Sequence, residues 1–172
     1  ISALISYATL HGMRAEKAAE WAKQDAQFSH PSLVCQECNA VYVFATVLLQ
    51  QGLSPKEVLH ETELYVHAQI QNDKVRAWWE ESKMKDMAWI SFERRPLPLQ
   101  PNDQPLSFGG HVRWPFVLAF WFLRHPEIPY DEAMRRVLFK GGDTDTLCCI
   151  VGGLVACYQP IPDTLLRPVC TF

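Results

Sequence analysis

No stretch of this sequence alternates apolar and polar residues for long enough to make a half-buried strand. Helix-spaced apolar positions recur along most of it instead, cut into segments by proline and glycine. That pattern restricts the chain to helices packed on helices. Residues 1–10 are apolar and small and stop at His11-Gly12, a C-cap signal. Residues 14–28 are rich in Ala, Glu and Lys, and Ala18, Trp21, Ala22 and Phe28 fit one buried face. Ser29-His30-Pro31-Ser32 interrupts the chain, because the residue before a proline is steered out of the helical region. A long apolar helix is expected over 34–51, closed by Gly52. Ser54-Pro55-Lys56-Glu57 then reads as an N-cap, a first-turn proline and an N3 glutamate, opening a helix to about 71. Asn72 caps a short helix holding Trp78 and Trp79. Residues 97–110 carry Pro98, Pro101, Pro105 and Gly109-Gly110 and are expected to form a structured loop. Helices follow over 112–123, with Pro115 tolerable in the first turn, over 130–140, and over 143–158 before Pro160 and Pro162. The expected fold is an all-α compact multi-helix bundle, with residues 1–172 as a single domain and no internal repeat.

Size and composition permit such a bundle. The chain has 172 residues, 48% of them apolar and 12% aromatic, enough to bury a sizeable core. Its net charge of −3 lacks the basic excess of a phosphate-tracking surface, and Arg94-Arg95 is too short a cluster to change that. Nucleic acid is therefore not an expected partner. Neither is a membrane: residues 114–123, the most apolar run, reach about half the length a spanning helix needs. Six cysteines include the adjacent Cys148 and Cys149 and the nearby Cys157, read as small buried hydrophobes in a reducing, cytoplasmic setting. Cys35 and Cys38 form a CxxC inside a helical pattern with no second pair at zinc spacing, so they are read as structural thiols.

The chemistry concentrates in Lys140-Gly141-Gly142-Asp143-Thr144-Asp145-Thr146. Two readings compete for it. Asp143 stands where an N-cap belongs, and Asp145 favours the positive end of the following helix, so the run is a capped helix start. Alternatively, Asp143, Asp145 and Thr146 offer oxygens to a hard cation, and burial against so apolar a helix would make such paired charges costly without one.

The hexapeptide Gly141 to Thr146, the following apolar segment with Gly152-Gly153, then Tyr158 and Ile161-Pro162, together resemble the C-terminal signature of the ADP-ribosylglycohydrolases. Phe28-Ser29-His30-Pro31 resembles that family's threonine-histidine turn, with serine for threonine. Gly109-Gly110-His111 resembles its glycine-led helix before the signature. The resemblance implies an all-α fold with two Mg²⁺ ions, Mn²⁺ in some members, at the mouth of an ADP-ribose cleft. Asp143, Asp145 and Thr146 are then metal ligands, and His30 lies at the substrate phosphates or ribose. The implied reaction is hydrolysis at C1″ of ADP-ribose on an ADP-ribosylated protein or an ADP-ribose-containing small molecule. The family's first third supplies an acidic residue and a Thr-Asp-Asp run that are not found in this sequence. The chain is therefore expected to be the C-terminal two-thirds of such a domain, completed by an N-terminal segment of the same protein that holds the catalytic acid. Two other readings stay open: a degenerate member that binds ADP-ribose or a protein without turnover, and a plain helical interaction domain.

Overall fold

The computed structural model describes residues 2–85 and 111–170. Nine helices and no strand occur among them: α1 (Ser2–Leu10), α2 (Ala15–Ser29), α3 (Leu33–Gln50), α4 (Pro55–Gln69), α5 (Asp73–Glu81), α6 (Arg113–Leu123), α7 (Tyr130–Lys140), α8 (Thr144–Val155) and α9 (Asp163–Cys170). The expected loop over 97–110 lies outside the described residues.

Local chemistry places the helix ends. Gly12 takes a φ of +59°, a value that favours glycine, and turns the chain from α1 into α2. Ser54 and Glu57 form a full capping box: the Glu57 carboxylate accepts the Ser54 N–H at 2.8 Å, and the Ser54 hydroxyl accepts the Glu57 N–H. Asn72 caps α5 by accepting the Lys74 N–H at 3.0 Å. Helix α9 was not anticipated, because Pro160 and Pro162 read as a stop. Pro162 instead precedes Asp163, whose acid lies in the first turn.

Packing then orders the bundle. Ala15, Ala18, Ala19, Ala22 and Ala26 form a buried stripe of small side chains along α2, which lets it lie close against α3. Every residue of α6 from Pro115 to Leu123 is buried, so this helix is apolar all round and runs through the main core. Trp79 of α5 meets Phe120 of α6 edge to face at 5.0 Å, and Arg113 of α6 pairs with Glu81 of α5. By length and apolarity α3 could cross a bilayer, but much of it is buried in the bundle between α2 and α4.

One buried charge organises this arrangement. Glu37 of α3 is fully buried, and its two carboxylate oxygens accept the backbone N–H groups of Gln71 at 3.0 Å and Asn72 at 2.9 Å. Lys23 of α2 stands 4.0 Å away. The α4–α5 connection is thus held to α3 by a carboxylate each of whose oxygens accepts a backbone N–H, which is what makes its burial tolerable.

Candidate functional site

Helix α8 packs on α6 and α7, and the acidic run forms its N-terminal turn. Gly141 and Gly142 both take positive φ, +77° and +79°, which reverses the chain between α7 and α8 and exposes the turn. Asp143 occupies the N-cap position, but its side chain makes no capping bond to the helix. Its carboxyl lies within hydrogen-bonding reach of Asp145 instead. The backbone N–H groups of Thr146 and of Asp145 itself face the Asp145 carboxylate. The capping bond expected of Asp143 is therefore not made.

This geometry also sets the charge. Hydrogen bonding with the Asp143 side chain, then with the backbone N–H groups of Thr146 and Asp145, holds the Asp145 carboxyl below the ordinary aspartate range. Asp145 and Thr146 are exposed and Asp143 is half-buried. The expected cost of burying these charges therefore does not arise, and the cation-site reading must rest on the donor set. That set fits a hard divalent cation: two neighbouring aspartate side chains with the Thr146 hydroxyl in the same turn and no soft ligand required.

His30 stands at the C-terminal end of α2. Its ring is exposed, with Nδ1 3.0 Å from the Ser29 hydroxyl, and Nε2 makes no bond among the described residues. Helix α2 packs mainly on α1 and α3, and no hydrogen bond or ion pair joins His30 to the acidic turn among the described residues. His111 accepts the Arg113 N–H at 3.2 Å and sits edge-on to Trp78. Gly109-Gly110 lies outside the described residues.

The cysteines divide. Burial pushes the Cys38 thiol far up, which makes it inert, and Cys35 is half-buried. Cys149 is exposed and Cys148 and Cys157 are half-buried, so the three are not the fully buried hydrophobes expected. Cys35, Cys38, Cys148, Cys149 and Cys157 are all free thiols.

Among the described residues, Glu63, His67 and Glu80 are the only three such side chains with ligand atoms mutually within 4.8 Å. A cation already serves them. The Lys83 ammonium lies 2.7 Å from Glu63 and 2.8 Å from Glu80, occupying the space a metal would take.

The family model for ADP-ribosylglycohydrolase matches residues 2–170. The chain belongs to the ADP-ribosylglycohydrolase family. Neither the curated proteins nor the solved structures yield a match. Membership, together with the all-helical architecture, supports a hydrolase of the ADP-ribosylglycohydrolase type. Sequence reading had located the acidic turn of this family member. The Glu37 staple and the hydrogen bond from the Tyr42 hydroxyl to the Ile150 carbonyl of α8 have no local sequence signal.

Proposed function

We propose that this ADP-ribosylglycohydrolase family member hydrolyses the glycosidic bond at C1″ of ADP-ribose with the help of divalent cations, Mg²⁺ or Mn²⁺. The observation that carries the reading is the exposed turn in which the Asp143 and Asp145 carboxyls converge beside Thr146. These three residues would hold the cation. Once bound, it would supply Lewis-acid polarisation and lower the pKa of a water molecule.

The chain's own groups do the rest. Asp145, whose carboxyl is held below the ordinary aspartate range, offers an anionic oxygen to the cation at neutral pH. Glycines 141 and 142 leave that turn open to a substrate sugar. His30 keeps Nε2 open for a phosphate or ribose oxygen. Water adds to C1″ as the bond to the acceptor breaks, giving free ADP-ribose and a reprotonated acceptor side chain. Remaining ligands and the general base would come from water, substrate oxygens and an N-terminal segment of the same polypeptide. The substrate would be an ADP-ribosylated protein or a related small molecule, met in the cytoplasm.

Chelation tests this directly. The complete polypeptide, incubated with an ADP-ribosylated protein, should release ADP-ribose, fall to background with a chelator, and recover with added Mg²⁺. Release that persists unchanged under chelation would rule out the metal-dependent mechanism. Binding of ADP-ribose without any release would identify a non-catalytic binding module instead.

A further inference from the structure

Helix α8 carries the acidic turn at one end and Gly152-Gly153 two turns further on. Each glycine marks a close approach. A Cβ at Gly152 would stand 2.9 Å from the Tyr130 hydroxyl and 3.0 Å from the Met134 sulfur, both on α7. A Cβ at Gly153 would stand 3.1 Å from the Tyr42 hydroxyl, on α3. Two tyrosine hydroxyls thus approach α8 at neighbouring positions, and a Cβ at either would push the tyrosine aside.

Tyr42 does more than touch. Its hydroxyl donates to the Ile150 carbonyl at 2.8 Å, inside the α8 hydrogen-bond ladder. Burial pushes its pKa far up, so the hydroxyl remains a donor at any working pH. No other hydrogen bond joins α3 to α8 among the described residues. Between the two helices lies a cavity of about 470 Å³ lined by Asn39, Tyr42, Thr46, Phe116, Cys149 and Gly153, among others. The phenol spans that space. Asp145, Cys149 and Gly153 recur at intervals of four residues, so the face Tyr42 grips is continuous with the face that presents Asp145.

We propose that Tyr42 is a positioning residue for the acidic turn: it fixes the rotation and axial height of α8, and so the direction in which Asp145 and Thr146 present their oxygens. The proposal rests on reading that turn as the cation site. Ile150 is about 7.5 Å along the helix axis from Asp145, short enough for a rigid helix to carry the constraint.

The test uses Tyr42→Phe in the complete polypeptide, which removes one oxygen and keeps the ring. Two readouts are needed: amide hydrogen exchange across 147–155, and the Mg²⁺ dissociation constant from calorimetry. Exchange in α8 should quicken while α4 and α5 are unchanged, and Mg²⁺ should bind about fivefold more weakly, the scale of one lost hydrogen bond. Gly153→Ala, which crowds the hydroxyl, should weaken Mg²⁺ binding similarly. Asn39→Ala, a change in the same cavity wall at a side chain that donates to the Cys35 carbonyl of its own helix, should not. Unchanged exchange in Tyr42→Phe would overturn the tether. Faster exchange with unchanged affinity would overturn the positioning role and leave the cation site standing. A wild-type protein that binds no Mg²⁺ would remove the cation site, and the positioning role with it.

Discussion

Asp145→Ala in the complete polypeptide is expected to lower Mg²⁺-dependent release of ADP-ribose by on the order of 10²- to 10³-fold, the scale of the several kcal/mol that a bound metal contributes to a transition state. The protein should remain folded, because Asp145 is exposed and its side chain supports only the first turn of α8. Asp145→Asn keeps the shape and removes the charge, and should lose nearly as much. Thr146→Val should lose less, since a neutral hydroxyl is the weakest donor of the set. The pH dependence follows from the shift. The folded-state pKa of Asp145 lies below its unfolded value, so its stabilising contribution is present above the unfolded value and lost as pH falls through the folded one. Cation binding, which needs the same ionised form, should vary little through neutral pH and fail only in acid. Steady-state release at saturating Mg²⁺, with circular dichroism as the folding control, checks all of these. Full activity in Asp145→Ala would refute the assignment.

The largest expected effect on stability is at Glu37. Glu37→Ala leaves the Gln71 and Asn72 N–H groups without their acceptor and opens a space in α3 that faces the α4–α5 connection. Hydrogen bonds to a charged group contribute about 1.5–3 kcal/mol each, so the loss should be about 3–5 kcal/mol, a large part of a domain's stability. Glu37→Gln should cost less, because one carbonyl oxygen still accepts while the amide nitrogen meets a donor. Urea denaturation of the complete polypeptide reads both. A loss under about 1 kcal/mol for Glu37→Ala would show that water replaces the carboxylate at the two amides.

These residues show what the amino-acid order reveals and what it conceals. Ser54, Glu57 and Asn72 were legible because a cap acts on donors within three residues of itself. Gly12 was legible because a glycine at a helix end has few other uses. The acidic turn was legible as a motif, but its internal wiring was not: a residue at the N-cap position need not make the capping bond, and side-chain geometry decides. Glu37 sits between two cysteines in a run that resembles an ordinary helix surface, and its partners are 34 and 35 residues away. Tyr42 meets Ile150 across 108 residues. Contacts of that range leave no local periodicity, so only the folded chain shows them. The proline pair before α9 misled for the opposite reason, since proline ends one helix and starts another equally well.

The central claim is that Asp143, Asp145 and Thr146 hold the catalytic cation. Anomalous scattering from Mn²⁺ in crystals of the complete polypeptide tests it most directly. The account predicts a manganese peak at roughly 2.0–2.3 Å from carboxylate oxygens of the acidic turn. A peak at Glu63, His67 and Glu80 with Lys83 displaced, or no peak at the turn in crystals of protein that hydrolyses its substrate with Mn²⁺, would contradict it.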